Sequence, residues 1–388
     1  MPKLTVKNQA QSNGKRPRVV VAMSGGVDSS VAAALLVQKN YEVIGMMMRL
    51  WSEPGRGLDA PLNRCCTPDQ MADARRVANQ LDIPFYVVDV QDYFRRTIVQ
   101  FFIDEHTRGR TPNPCIECNR QIRFSYLLDR ARALGADYLA TGHYARVRHK
   151  NGAYELLKAV DESKDQSYVL HVLGQEEMAQ VLFPIGEYKK HEVREIAAQL
   201  KLPIAEKKDS MDLCFLGDGD YRRFLREHAA ETISSGPIVT HDGSVLGHHD
   251  GLAYYTIGQR KGLGISTGEP VYVLSKDVER NALVVGSREE LGQTELLARD
   301  VNWMSGSEPA TAVQAAVKIR YKANAVMAQV KPLPGKCARI QFEDFVYGAT
   351  SGQGITFFDG DVCLGGGLIA DSATILKNGK NVPEQEAS

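Results

Sequence analysis

The stretch "VVVAMSGGVDSSVAAALLVQKN", residues 19–40, constrains this chain more than any other: an apolar run, a Gly-Gly turn and a strong helix former follow without a break. A second apolar run, "YEVIGMMMRL", comes next and makes the opening a strand, helix, strand unit. The alternation continues. Thr67 and Pro68 mark a helix start in "TPDQMADARRVANQL", and "IPFYVVDV" has the texture of a third buried strand. "RFSYLLDRARALG" suits a helix stopped by Gly135, and "DYLATGHYA" a strand running into a turn. Parallel strands need crossovers, and helices that supply them cover both faces of the sheet. The pattern therefore predicts an α/β domain with its ligand site at the carboxyl ends of the strands.

Helical texture persists through "KKHEVREIAAQLKLP" and "GDYRRFLREHAA" and then gives way. From about Gly236 the chain alternates short strand-like runs with Gly, Asp and Asn turns, which predicts two small β-rich units divided near residue 290. The expected organisation is an α/β domain over 17–225, a β-rich domain over 226–290, a last domain over 291–375, and disordered tails at 1–16 and 376–388. With 43% apolar residues in 388, there is material for that many cores. No window approaches the roughly eighteen uncharged apolar residues of a membrane span, and the first residues lack the apolar core of an export signal. A cytoplasmic protein without membrane association is expected. The seven cysteines (65, 66, 115, 118, 214, 337, 363) are odd in number, which favours reduced thiols over a disulfide framework. Lys and Arg together number 47, as do Asp and Glu, so only a local asymmetry can favour a nucleic-acid partner. Arginines 108, 110, 120, 123, 130 and 132 against Glu117 and Asp129 supply one.

The chemistry begins at the turn. In Ala22, Met23, Ser24, Gly25, Gly26, Val27, Asp28, Ser29 and Ser30, backbone N–H groups and a helix N-terminus form a concavity suited to phosphate. It is not a Walker A loop, because no Lys-Ser/Thr pair follows. The segment resembles the PP-loop, or N-type, ATP pyrophosphatases, which cleave ATP between the α- and β-phosphates to adenylate a carbonyl oxygen. That resemblance implies ATP and Mg²⁺ as cofactors, an adenine nucleotide alpha hydrolase-like fold, Asp28 as a metal-holding carboxylate, Met48 contacting the base through its backbone, and Gly142 closing the site.

Further along, "GRTPNPCIECNRQIRF", "ATGHYA", "KDQSYVL", "KKDSMDLCFLG", "YTIGQRKGLGI" and "GDVCLGGGLI" follow in order. Together with the loop they resemble the tRNA-specific 2-thiouridylases over residues 18–372, and the resemblance implies that the last domain is a β-barrel. It also implies Cys118 as nucleophile, Cys214 as the cysteine that carries sulfur as a persulfide, tRNA as substrate, and an upstream sulfur-carrier protein or cysteine desulfurase as partner. Asn113, Pro114, Cys115, His143, Lys164, Asp165, Gln166, Arg320, Tyr321 and Gln353 stand where the family meets tRNA. Arg110, Arg120, Lys207 and Lys208 are the cations expected to favour thiolates. At Cys115 many relatives carry Asp, and that departure leaves a second route open: Cys115, Cys118 and Cys214 are also the ligand set of a [4Fe–4S] cluster with one iron exposed. A structural zinc site lacks a fourth ligand at metal spacing. Another adenylating ligase of the superfamily would leave the distant cysteines unexplained, and a non-catalytic RNA-binding module would leave the loop unexplained. Cys65 and Cys66 flank a helix start, while Cys337 and Cys363 are expected as small core residues.

Overall fold

The computed structural model describes residues 16–51, 53, 67–207 and 213–371. The expected tails, apart from Arg16, and Cys65, Cys66 and Lys208 lie outside the described residues. In the first domain, chain order gives β1 (Arg18–Ala22), β2 (Glu42–Arg49), β3 (Phe85–Asp89), β4 (Tyr138–Ala140), a hairpin of β5 (Arg146–Lys150) and β6 (Ala153–Leu157), and β7 (Val181–Leu182). Five of these form a wholly parallel sheet in the order β3-β2-β1-β4-β7. Helices α1 (Val27–Gln38), α2 (Pro68–Gln80), α3 (91–107), α4 (114–133) and α5 (Gln175–Gln180) lie in its connections and α6 (Lys190–Gln199) follows its last strand; α3 and α4 contain wide π-helical turns at Arg95–Val99 and Asn119–Leu127. Val19, Val20 and Val21 are fully buried, as a central strand covered on both faces must be. α1, α2 and α6 pack on one face, while α4 and the hairpin pack on the other.

A short helix α7 (Tyr221–His228) leads to the second domain, where β8 (Gly236–Val239), β9 (Val245–His249), β10 (Tyr272–Asp277) and β11 (Ala282–Gly286) pair in the order β10-β11-β8-β9. Its apolar side chains Ile238, Val273, Leu283 and Val285 share one core with Phe94, Ile98 and Phe102 of α3 and Phe224 of α7. The last domain holds β12 (Gly292–Trp303), β13 (Val313–Lys318), β14 (Val326–Leu333), β15 (Cys337–Tyr347), β16 (Gly354–Asp359) and β17 (Val362–Ile369). These pair antiparallel in the order β12-β15-β14-β13-β16-β17, and β12 pairs with β17 to close a six-stranded barrel. Closure removes sheet edges that would otherwise invite aggregation.

Two strand features escape sequence reading. β12, "GQTELLARDVNW", carries charges along twelve residues and lacks clean alternation, because its pairing shifts register between Arg299 and Asn302. The hairpin β5–β6 belongs to the first domain by sequence but adds to the barrel sheet, with Leu156 opposite Cys363 and Leu157 opposite Val362. Cys363 is buried, as expected. Cys337 is not: it opens β15 at the barrel rim and is only half-buried.

The seam between α3 and the second domain buries two basic groups. His106 is 3% exposed, stacks on Tyr221, packs at a tilt against Phe102, and has Nδ1 at 3.3 Å from the Ala253 carbonyl oxygen. The Lys276 ammonium nitrogen is buried without a hydrogen-bond partner. Burial pushes His106 down from 6.5 to about 3 and Lys276 from 10.5 to about 7. Between each pair of values the unfolded chain binds a proton that the folded chain refuses, so stability rises with pH through both windows, by about 1.4 kcal/mol per pH unit for each group. The urea midpoint should therefore climb from pH 5 to pH 9, and Lys276→Met should raise it at pH 7 and flatten its upper part. A wild-type midpoint that is flat above pH 7 would show that the lysine is hydrated.

Candidate active site

The sheet order reverses between β1 and β4, which opens a crevice over their carboxyl ends. The loop Ser24–Gly26 lines it and α1 begins at once, with Gly26 as its cap. Ser30 Oγ donates to the Gly26 carbonyl oxygen at 2.8 Å, and the Ser24 N–H donates to Ser29 Oγ at 3.1 Å, so side chains close the turn. Gly25 has φ +70°, and a Cβ there would lie 2.2 Å from the Gln70 carbonyl oxygen. A Cβ on Gly142 would lie 2.7 Å from the Ser29 nitrogen. The loop Ala22–Ser30 and Gly142 are thus brought together. Met48, half-buried, lies near the end of the neighbouring β2. The Asp28 carboxylate accepts from Lys190 Nζ at 2.8 Å on each oxygen and from the Tyr144 hydroxyl at 2.9 Å. Lys207 Nζ donates to Asp73 at 2.6 Å and to the Gly25 carbonyl oxygen at 3.0 Å. Tyr144 sits inside the "TGHYA" string and could have been found there. Lys190 and Asp73 look in sequence like ordinary charges on helix surfaces.

The cysteines stand on α4 and on the segment before α7. Asn113 Oδ1 accepts the Cys115 N–H at 3.1 Å and Pro114 takes the first helical position, so "NPC" is a helix start. Cys115 is exposed, whereas Cys118, one turn later, is 5% exposed. Half-buried Cys214 packs into the apolar cluster that holds Cys118, Ile122 and Phe215. Arg123 donates to Cys118 Sγ at 3.6 Å and to Asn119 Oδ1 at 3.0 Å, and a guanidinium in that place favours thiolate over thiol. Of the expected cations among the described residues, Arg110 pairs with Glu105 and Asp371, Arg120 with Glu117, and Lys207 with Asp73. The three cysteines do not gather as ligands of a single metal ion. Among the described residues the group that does is Glu53, Glu227 and His228. There Arg223 donates to both Glu53 oxygens, at 3.1 and 2.7 Å, and to Glu227 at 2.8 Å, so a guanidinium already supplies the positive charge.

Most residues expected against RNA are engaged within the protein. Gln353 Nε2 donates to the Thr111 and Pro112 carbonyl oxygens at 2.9 and 3.4 Å, and the Thr111 N–H donates to the Ser351 carbonyl oxygen at 2.9 Å. Arg320 donates to the carbonyl oxygens of Ile257, at 3.2 Å, and of Gly348. Asp165 is buried and accepts from the N–H groups of Ala159 and Ser167 and from Ser167 Oγ. Gln166 Oε1 accepts the Tyr144 N–H at 2.9 Å. His143 has Nδ1 2.6 Å from Thr141 Oγ1 and packs against Phe124 and Phe183; burial, and then Arg123, push it down to about 3, so it is neutral. Lys164 is half-buried, and Tyr321 is 38% exposed. The arginine-rich stretch is likewise tied down, with Arg132 on Asp129 and Arg130 over the Tyr126 ring.

Arg123→Met should slow iodoacetamide alkylation of Cys118 at neutral pH by about ten-fold, the worth of one hydrogen bond to a charged group at about 1.5 kcal/mol. Peptide mass spectrometry measures it, and an unchanged rate would show that Arg123 does not act on the sulfur.

Comparison with known proteins gives matching family profiles described as tRNA methyl transferase HUP domain (residues 17–218), tRNA methyl transferase PRC-barrel domain (222–287) and aminomethyltransferase beta-barrel domain (293–369). Relatives that cover more than nine-tenths of the chain carry a different description. The tRNA-specific 2-thiouridylase MnmA of Geotalea uraniireducens is 48% identical over 364 residues, which cover 92% of this chain and 96% of the relative. Those of Chloroflexus aggregans and Moorella thermoacetica are 49% and 47% identical, covering 91% and 92% of this chain and 98% and 100% of their own. Among solved structures, the U34-tRNA thiolase NcsA from Methanococcus maripaludis with its [4Fe-4S] cluster matches 56% of this chain and 69% of its own at 20% identity and a TM-score of 0.35, too loose a likeness to argue from. Identity near one half along the full length of several relatives decides the matter, and the chain belongs to the tRNA-specific 2-thiouridylase family.

Proposed function

We propose that this protein is an ATP-dependent tRNA sulfurtransferase that adenylates the C2 oxygen of the wobble uridine and replaces it with sulfur carried on Cys214. The observation that carries the reading is the packing of Cys118 and Cys214 into one apolar cluster, in a domain that also holds the phosphate loop. Ser24–Ser30 cradle the phosphates, and Asp28 is the carboxylate that fits Mg²⁺, which when bound offsets the charge of the triphosphate. The adenylated oxygen becomes a good leaving group.

Cys214 receives sulfur from an upstream carrier protein or desulfurase as a persulfide. Its terminal sulfur attacks C2 and AMP leaves with the original oxygen, so the new C2–S bond is still joined to Cys214 by a sulfur–sulfur bond. The Cys118 thiolate, held by Arg123, attacks Cys214 Sγ and breaks that bond. Uridine departs with its thiocarbonyl, and a Cys118–Cys214 disulfide remains for an external thiol to reduce by two electrons. That last step suits a reducing compartment, the cytoplasm. The contrast between exposed Cys115 and buried Cys118 favours this route over a cluster held by three equivalent thiolates. Asn113, Pro114 and Cys115 flank the target base, with neutral His143 below, while Lys164 and Tyr321 offer a phosphate contact and a stacking face. Asp165, Gln166, Arg320 and Gln353 shape these contacts from behind.

The test measures AMP, pyrophosphate and 2-thiouridine with tRNA, ATP and a persulfide donor. AMP release should require tRNA, and Cys118→Ser and Cys214→Ser should both reduce 2-thiouridine to background, while Cys115→Ser keeps most of it. AMP formation on a small acceptor with tRNA ignored would refute the reading. Activity that needs added iron would replace the persulfide route with the cluster.

A further inference from the structure

Three elements converge on one carboxylate. Asp28 stands in the first turn of α1, Tyr144 in the segment after β4, and Lys190 at the first residue of α6. The Lys190 ammonium meets both Asp28 oxygens at 2.8 Å and lies 5.8 Å from the centre of the Tyr144 ring. Its backbone is fixed, because its N–H donates to Asp161 Oδ2 at 2.8 Å, while the side chain is only 13% exposed. A lysine so anchored keeps its base still and can swing its head. Asp28 already accepts three hydrogen bonds, and a divalent cation on the same carboxylate would stand close to the ammonium, so charge repulsion sets the two against each other. A second lysine at the loop among the described residues, Lys207, is held by Asp73 at 2.6 Å.

We propose that Lys190 is a nucleotide-positioning residue: as Asp28 turns to the metal that accompanies a nucleoside triphosphate, the Lys190 ammonium passes from Asp28 to the phosphates in the loop. The inference rests on the reading of the loop as an ATP site. The exchange conserves charge, because the ammonium leaves one anion for another and the carboxylate takes the cation instead. It keeps a positive charge on the pyrophosphate as that group becomes the leaving group, where oriented cations stabilise developing charge. The Tyr144 hydroxyl, which donates to one Asp28 oxygen at 2.9 Å, keeps a neutral donor on the carboxylate as the ammonium leaves.

Calorimetric titration with Mg²⁺ and α,β-methylene-ATP, which cannot be cleaved at the reacting bond, tests this without turnover. Lys190→Met should weaken the analogue about ten-fold or more and leave adenosine binding unchanged. The deciding arm is the Asp28→Asn background. If Lys190 reaches the phosphates, Lys190→Met costs a further factor of about ten there. If it only neutralises Asp28, the second substitution has no effect in that background, and the proposal falls. Equal weakening of adenosine and the analogue would mean that the substitution deforms the crevice, and would also overturn it. Failure of the wild type to bind the analogue would instead overturn the ATP reading itself.

Discussion

Glu105 is the charge on which the rest of the molecule hangs. It is 4% exposed on α3 and faces Arg110 at 2.8 Å, Arg299 at 3.4 Å and Arg108 at 3.5 Å. A carboxylate so buried persists only when paired, and removal of one partner of a buried pair costs about 3–5 kcal/mol. Arg110 begins the loop that leads to the cysteine helix, and Arg299 lies on β12 of the barrel. Arg110 also reaches Asp371, beyond the last barrel strand, at 2.9 Å. The barrel therefore grips the loop before α4 through the same carboxylate that grips α3. Ser351 and Gln353 complete the hold one to two residues further on. By this geometry the barrel sets where α4 starts, and so where Cys118 points.

The Gly-Gly loop and the cysteine helix are joined by the short segment after β4. Gly142 packs on the first turn of α1, His143 packs against Phe124 of α4, and the Tyr144 hydroxyl donates to Asp28. Arg123 reaches Cys118 on one side and lowers the proton affinity of His143 on the other. A change in the charge at Asp28 is thus two residues from the ring that packs on the cysteine helix. A reaction that makes an adenylate at one site and attacks it from the other requires that proximity.

The sequence discloses the parallel sheet because its strands are buried on both faces and its helices have strong start and stop residues. It discloses the loop for the same reason that the loop works: Gly25 and Gly142 are where side chains would collide with backbone. What it hides are partnerships across long separations. Arg110 stands in an arginine-rich stretch and Gln353 is marked only by the family resemblance, and neither position discloses that its side chain is held by atoms more than two hundred residues away. β12 and the β5–β6 hairpin are hidden because barrel closure, rather than local periodicity, makes them strands. Lys190 carries no motif because its partner is on another helix. The resemblance to a known family singles out Cys118 and Cys214 as candidates, while the identity of the cation beside Cys118 has to come from the fold.

The central claim is that Cys118 and Cys214 work as a pair on one sulfur atom. A single turnover with persulfide-loaded enzyme, ATP and tRNA, quenched with acid and mapped by non-reducing peptide mass spectrometry, tests it most directly. The account predicts a Cys118–Cys214 disulfide that accumulates one for one with 2-thiouridine in the absence of reductant. Stoichiometric 2-thiouridine with both cysteines still as thiols would contradict it.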